Sequence, residues 1–391
     1  MILRKKDFWK GFVAALALVV VVVFVWQQLM LLPVALPFGM SDATKMHVIE
    51  KYLDTYYVED YDKEQCKELM YVGLAAGVGD PYTYYLSEED LNEQIEKNNG
   101  HFVGIGVTIY QEDDGYVCVD SVTEGGPAQE AGIQAEDKII RIDGEEISQW
   151  SMEEISNRIK GKEGTTVAVS VFRPSTGEAL EFTVTRRDIQ VQSVTYHMLQ
   201  DGIGYIAISN FRANTYEQFE TAMKDLQNQG MVSLILDLRN NTGGLVNTAH
   251  QIGDMLLPEG VMVYTLDKEG NREDTLCDAD YIDLPLMVLV NGNSASGSEI
   301  LAGAIQDTGR GTLIGTTTFG KGLVQRLFTL PDGSGLNVTI QKYYTPAGRS
   351  IHGVGIEPDV VVSLPDGYAD TIEIPTEQDT QLQKAIELLQ K

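Results

Sequence analysis

Leu286-Met287-Val288-Leu289-Val290-Asn291-Gly292-Asn293-Ser294-Ala295-Ser296-Gly297-Ser298-Glu299-Ile300-Leu301 is the stretch on which the reading of this 391-residue chain turns. Five apolar residues form a strand too short and too continuous to face water. Asn291 to Ser294 make a turn, and Ile300, Leu301, Ala304 and Ile305 then recur at helical spacing. A strand that turns directly into a helix is the unit of an α/β fold. A serine in that turn stands at the positive end of a helix dipole, where an alkoxide or oxyanion is stabilised. The same position also suits a plain N-cap, and the turn alone does not separate the two roles.

Strand and helix patterns alternate on both sides of this unit. Ile203–Ile208, Ser233–Leu238 and Leu286–Val290 read as strands, and Thr215–Gln227 as a helix, so residues 188–366 are expected to form an α/β core. Within it, Gly315-Thr316-Thr317-Thr318-Phe319-Gly320-Lys321-Gly322 approaches a phosphate loop. Gly322 stands where the magnesium-binding hydroxyl is required, which argues against nucleotide binding. What remains is Lys321 between glycines, close to backbone. If shielded from water, its amine is neutral and able to take a serine proton.

Residues 101–187 carry short β-rich runs, one helical stretch beginning at Met152, and many glycine turns, consistent with a small partly open barrel. Residues 41–100 read as a helical module, with Ser87 and Asp90 in a capping-box pattern. Residues 367–391 end in an amphipathic helix expected to start at Thr376 and to dock on the body or on a second subunit, so a homodimer is possible. At the other end, Arg4, Lys5, Lys6 and Lys10 precede an apolar run over 11–32. That length reaches the roughly 20 residues needed to span a bilayer. The positive flank places the N-terminus in the cytoplasm and the rest outside, in a single-pass arrangement at the cell membrane. A cleaved signal peptide is the competing reading.

The formal net charge of −28 excludes a nucleic-acid binder of the counterion-release kind. Cys66, Cys118 and Cys277 are scattered and make neither a zinc spacing nor a disulfide framework, and the five histidines form no ligand motif. No metal and no cofactor is expected.

Two resemblances sharpen these readings. Gly104-Ile105-Gly106-Val107, Gly126-Pro127-Ala128 and Ile142-Asp143-Gly144 resemble a PDZ domain over 101–187. Such glycine-rich backbone can cradle a carboxylate while the adjoining strand edge accepts an extended peptide. Ile105, Val107, Met152, Ile155 and Ile159 are candidates for the apolar pocket, and Arg173 is a candidate bridge from this module to the core. Ser294-Ala295-Ser296-Gly297-Ser298-Glu299-Ile300 and Phe319-Gly320-Lys321-Gly322-Leu323-Val324-Gln325 resemble the C-terminal processing peptidases, also called tail-specific proteases. Gly297 departs from that family's alanine. The resemblance implies that Ser296 is the nucleophile, Lys321 the general base and Gln325 its orienting partner. Asp237-Leu238-Arg239-Asn240-Asn241-Thr242-Gly243-Gly244 matches a further family segment, with Thr242 in place of proline. The backbone N–H groups of Gly243 and Gly297 are thereby implied as an oxyanion hole. Asp307 is expected to be structural. The expected protein is a membrane-anchored extracytoplasmic serine endopeptidase that recognises protein substrates with accessible, apolar C-termini. Two alternatives are a non-catalytic PDZ adaptor or chaperone, and a Ser-His-Asp hydrolase using His250 or His352.

Overall fold

The computed structural model describes residue 16, residues 18–22, 40–112, 115–365, 367–368 and 374–391. Most of the anchor expected over 11–32 lies outside the described residues. Among the described residues no helix is long and apolar enough to cross a membrane. The chain divides into two units, residues 1–67 and 68–391. In the first, Ser41 caps α1 (Asp42–Tyr56) through its side chain, and Lys63 pairs with Asp54 at 2.7 Å. α2 (Lys63–Ala76) spans the division.

The second unit holds three sheets and a short ribbon. β1 (Tyr84–Leu86) and α3 (Glu88–Asn99), capped by Ser87, lead into a ribbon strand, β2 (His101–Gly104). A PDZ-sized sheet follows in the order β3-β4-β5-β7-β8, built of β3 (Val107–Gln111), β4 (Val117–Val122), β5 (Lys138–Ile142), β7 (Thr166–Arg173) and β8 (Glu178–Thr185). The short β6 (Glu145–Glu146) pairs with β5, and α4 (Pro127–Ala131) and α5 (Met152–Ile159) flank the sheet. β9 (Arg187–Gln190) returns to β2.

The core sheet runs β10 (Val194–Met198), β11 (Ile203–Ile208), β12 (Ser233–Asp237), β15 (Leu286–Val290), β16 (Thr312–Gly315) and β19 (Val360–Val361), parallel except for the β10 edge. Alternation along the strands explains why both faces are covered. Ile206, Ile208, Leu234, Leu236, Val288 and Leu313 point into one cluster with α6 (Thr215–Asn228), α7 (Val246–Leu256) and α8 (Gly297–Asp307). Ile203, Ile235, Leu289 and Ile314 point the other way, onto Leu382 and Ala385 of α9 (Thr380–Leu389). The terminal helix therefore docks on its own body. Its cap lies three residues later than expected, because Asp379 rather than Thr376 caps it by accepting from the Leu382 N–H at 2.9 Å.

The third sheet is antiparallel and combines β13 (Gly260–Asp267), β14 (Arg272–Cys277), β17 (Leu323–Thr329) and β18 (Gly335–Tyr344) with β1. Residues 84–86, expected to belong to a helical module, instead pair with Gly335–Asn337. Three residues are too few for period-2 alternation to register in the sequence.

Candidate active site

The strand–turn–helix unit is built as its sequence indicates. β15 ends at Val290 and α8 begins at Gly297, with Ser296 as N-cap at φ 54°, ψ −113°. A non-glycine residue there carries backbone strain of about 1–3 kcal/mol, held by its surroundings. Those surroundings are the 238–243 loop. Ser294 donates its hydroxyl to Leu238 O and Ser298 donates to Asn241 O, both at 2.8 Å and both buried. The Ala295 N–H donates to Asn241 O at 3.0 Å. Of the three serines, Ser296 alone donates its hydroxyl to no group among the described residues. Gly243, at φ 104°, lies flat against it: a Cβ there would sit 2.7 Å from Ser296 Cβ and 3.0 Å from Gly297 N. No residue but glycine fits.

The lysine segment is tied to the serine segment through Glu299, whose side chain is fully buried. Its Oε2 accepts the N–H groups of Ser296 (2.9 Å) and Lys321 (2.8 Å). Its Oε1 accepts from the Gly320 N–H (2.7 Å) and the Thr318 hydroxyl (2.5 Å). One carboxylate thus holds the backbone of both candidate residues. Gly320 at φ 92° lets the chain pass within about 3 Å of the 351–355 turn, where a side chain would strike backbone.

Lys321 is half-buried, and burial pushes its amine below the usual lysine range, opposed by Asp80 and then by Glu299. No hydrogen bond joins this amine to the Ser296 hydroxyl. Its Nζ lies 4.4 Å from the centroid of the Tyr82 ring. Asp80 and Tyr82 come from the loop before β1. Asp80 accepts from the Tyr82 N–H and the Thr83 hydroxyl, which in turn accepts the Thr339 N–H. Gln325 makes no hydrogen bond to Lys321 among the described residues either. A bulge between Val324 and Gln325 bends β17, and the Gln325 Nε2 donates to Thr339 Oγ1 at 3.2 Å.

Gly297 and Gly243 both adjoin Ser296, but their N–H groups differ. That of Gly297, in the first turn of α8, has no acceptor among the described residues, whereas that of Gly243 donates to Asn241 Oδ1 at 2.9 Å. Arg173 does not bridge to the core. Its guanidinium turns inward to the buried Asp137, at 2.7 Å to each carboxylate oxygen, and to Gly132 O. An arginine at a strand end gives no sequence sign of a buried carboxylate 36 residues earlier. Asp307 is structural, accepting the Ala347 N–H and pairing with Arg349.

Gly104, Ile105, Gly106 and Val107 line a groove of about 430 Å³ with Ile159. Ile155 is instead sealed in the PDZ core, and Met152 packs against that core. Neither histidine of the alternative hydrolase reading bonds to Ser296: His250 meets Leu276 O at 2.7 Å, and His352 is exposed beside Gly322. His250, Asp254 and Cys277 have ligand-type atoms within 4.8 Å of one another. Burial, then the carboxylates of Asp254 and Asp278, push the Cys277 thiol up to about 12.

The model of peptidase family S41 matches residues 202–362, and the PDZ domain model matches 93–172. The carboxyl-terminal-processing protease of Synechocystis sp. is 38% identical over 322 residues, covering 81% of this chain and 75% of that protein. The chain belongs to peptidase family S41, the carboxyl-terminal-processing serine proteases. A second S41 relative, the carboxyl-terminal-processing protease of Picosynechococcus sp., is 40% identical over 323 residues, covering 81% of this chain and 77% of its own length. The S41 fold recurs in the crystal structure of a putative S41 protease from Bacteroides fragilis. It is 19% identical, with a TM-score of 0.53 over 91% of this chain and 99% of that one.

Two links at this site reach beyond any local signal in the sequence. The Ser296-x-x-Glu299 spacing is a local capping pattern, but the other three donors to Glu299 come from residues 19 to 22 positions away. The Asp80–Tyr82 loop lies more than 200 residues before the lysine it faces. An Asp-Pro-Tyr turn reads only as a loop until the fold closes on it.

Proposed function

We propose that this chain is a membrane-anchored, extracytoplasmic endopeptidase that captures protein C-termini in its PDZ groove and cleaves with Ser296 and Lys321. The observation that carries the reading is the Glu299 clamp, which fastens the serine turn and the lysine loop to one buried carboxylate beside Gly243. The neutral Lys321 amine takes the Ser296 proton as Oγ attacks the scissile carbonyl. The tetrahedral oxyanion is received by the Gly297 N–H, and by that of Gly243 once it leaves Asn241 Oδ1. Each such donor is typically worth about 2.7–4 kcal/mol. Lys321 then returns the proton to the leaving amine, and water, deprotonated in the same way, clears the acyl-enzyme.

In the arrangement described, the Lys321 amine rests on Tyr82 and Gln325 on Thr339, so the site is at rest. Engagement requires the amine to swing from the ring to Ser296 and Gln325 to reach it. The apolar run over 11–32, behind four cations, supports the anchor and the external placement of the rest. The test compares hydrolysis of an unfolded protein ending in an apolar residue by the full chain and by Ser296→Ala. Loss of hydrolysis in the variant is expected, and retention would reject Ser296 as nucleophile.

A further inference from the structure

The groove beside β3 is not built by the PDZ residues alone. Among the described residues β3 pairs only with β4, so its other edge is open to a peptide strand, with Ile159 of α5 lining the same groove. At the head of the groove the carbonyls of Ile105 and Gly106 are engaged by Ala128 N–H and Thr123 N–H, each at 2.9 Å. Their N–H groups have no acceptor among the described residues, and Gly106 at φ 77° sets the left-handed turn of an anion-receiving nest. The lining of the groove also includes Arg212, which belongs to the peptidase core, between β11 and α6.

Three cations line this groove. Lys97 is paired with Glu93 at 3.0 Å and Lys160 with Glu96 at 3.1 Å. The half-buried Arg212 guanidinium makes no hydrogen bond or ion pair among the described residues, and burial alone pulls its pKa below the usual arginine range. An arginine partly withdrawn from water with no counter-ion, lining the same groove as two free N–H groups, is suited to receive an anion. Its backbone is fixed: the Arg212 N–H donates to Thr215 Oγ1 at 2.9 Å, and the Ala213 N–H donates to Asn98 O at 2.9 Å.

We propose that Arg212, supplied by the core, is the cation that meets the free α-carboxylate of the substrate in the PDZ groove, so that both domains together grip the tail. This rests on the reading of the groove as a receptor for C-termini. It also gives capture a physical route to the site. Phe211, the adjoining residue, accepts the Leu245 N–H at 2.7 Å and donates its own N–H to Gly243 O at 2.9 Å. Its ring lies 3.2 Å from where a Cβ of Gly297 would be. The segment gripping the carboxylate is therefore the segment that seats both candidate oxyanion donors.

The test is fluorescence anisotropy with a labelled hexapeptide ending in an apolar residue, as free acid and as amide. The receptor is the full chain in detergent carrying Ser296→Ala. The acid is expected to bind on the order of 10- to 100-fold more tightly than the amide, as for a hydrogen-bonded charge pair. Arg212→Gln should reduce the acid's preference to the smaller share owed to the N–H nest, leaving amide binding and the melting temperature unchanged, and Arg212→Lys should keep more of the preference than Arg212→Gln. Retention of the full preference in Arg212→Gln, with binding abolished by Ile159→Asp, overturns the role of Arg212 while the groove reading stands. A wild-type chain indifferent to acid and amide, or binding undisturbed by Ile159→Asp, removes the groove reading and the proposal with it.

Discussion

Lys321 is poised between opposing influences, and their signs can be separated. Burial disfavours its charged form, whereas Asp80, Glu299 and the face of Tyr82 favour it. If the neutral amine is the base, kcat/KM rises with pH, on an acidic limb whose midpoint lies below the lysine's ordinary 10.5. Asp80→Asn removes a charge that raises the amine's affinity for protons, so the limb is expected at lower pH than in the wild type. Tyr82→Leu should move it the same way. A limb that stays in place in both variants would mean that the titrating group is not Lys321. The lysine and serine were legible from sequence because each sits in a contiguous, glycine-punctuated word. The resting place of the amine was not, since the residues forming it are separated from Lys321 by most of the chain.

At the scale of elements, two buried carboxylate networks fasten the parts of the site. Glu299 joins the start of α8 to the lysine loop, and Glu299→Ala leaves four donors without their acceptor. Circular dichroism should remain native while kcat falls by about 10²-fold or more, the scale of a displaced catalytic group. Unchanged kcat would deny the clamp a role. The second network joins the 237–241 loop to α9: Arg239 pairs with Asp237 (2.5 Å) and Asp379 (2.8 Å), and Tyr205 donates to Asp237 at 2.7 Å. All three charged side chains are at least nine-tenths buried. Arg239→Ala leaves two carboxylates together without a cation, so urea unfolding should show a loss of about 3–5 kcal/mol. A loss below 1 kcal/mol would show that water or protonation relieves the pair. The strands of the core and α9 were readable because their apolar periodicity is strong. The start of α9 was misplaced because Thr376 and Asp379 both offer capping oxygens, and Asp379 is the one held by Arg239, 140 residues earlier in the chain.

For the whole molecule, the order of PDZ segment and peptidase core was legible because each carries its own ordered motifs. Their joint construction of the groove was not, since Arg212 is one arginine on a loop with nothing local to distinguish it. The proposed logic is that tail capture at Arg212 and nucleophile assembly near Gly243 use one connected segment, so amidating a protein substrate's C-terminus should lower kcat/KM by at least about tenfold. Equal turnover of acid and amide forms would disconnect capture from cleavage. The central claim remains the pairing of one amine with one hydroxyl. Its most direct measurement is the single-turnover rate of acyl transfer to Ser296 in the wild type and in Lys321→Ala, on the same unfolded substrate across pH. The account predicts a fall of about 10²–10⁴-fold in the variant, with loss of the acidic limb. Acylation of Ser296 at the wild-type rate without the lysine would contradict it.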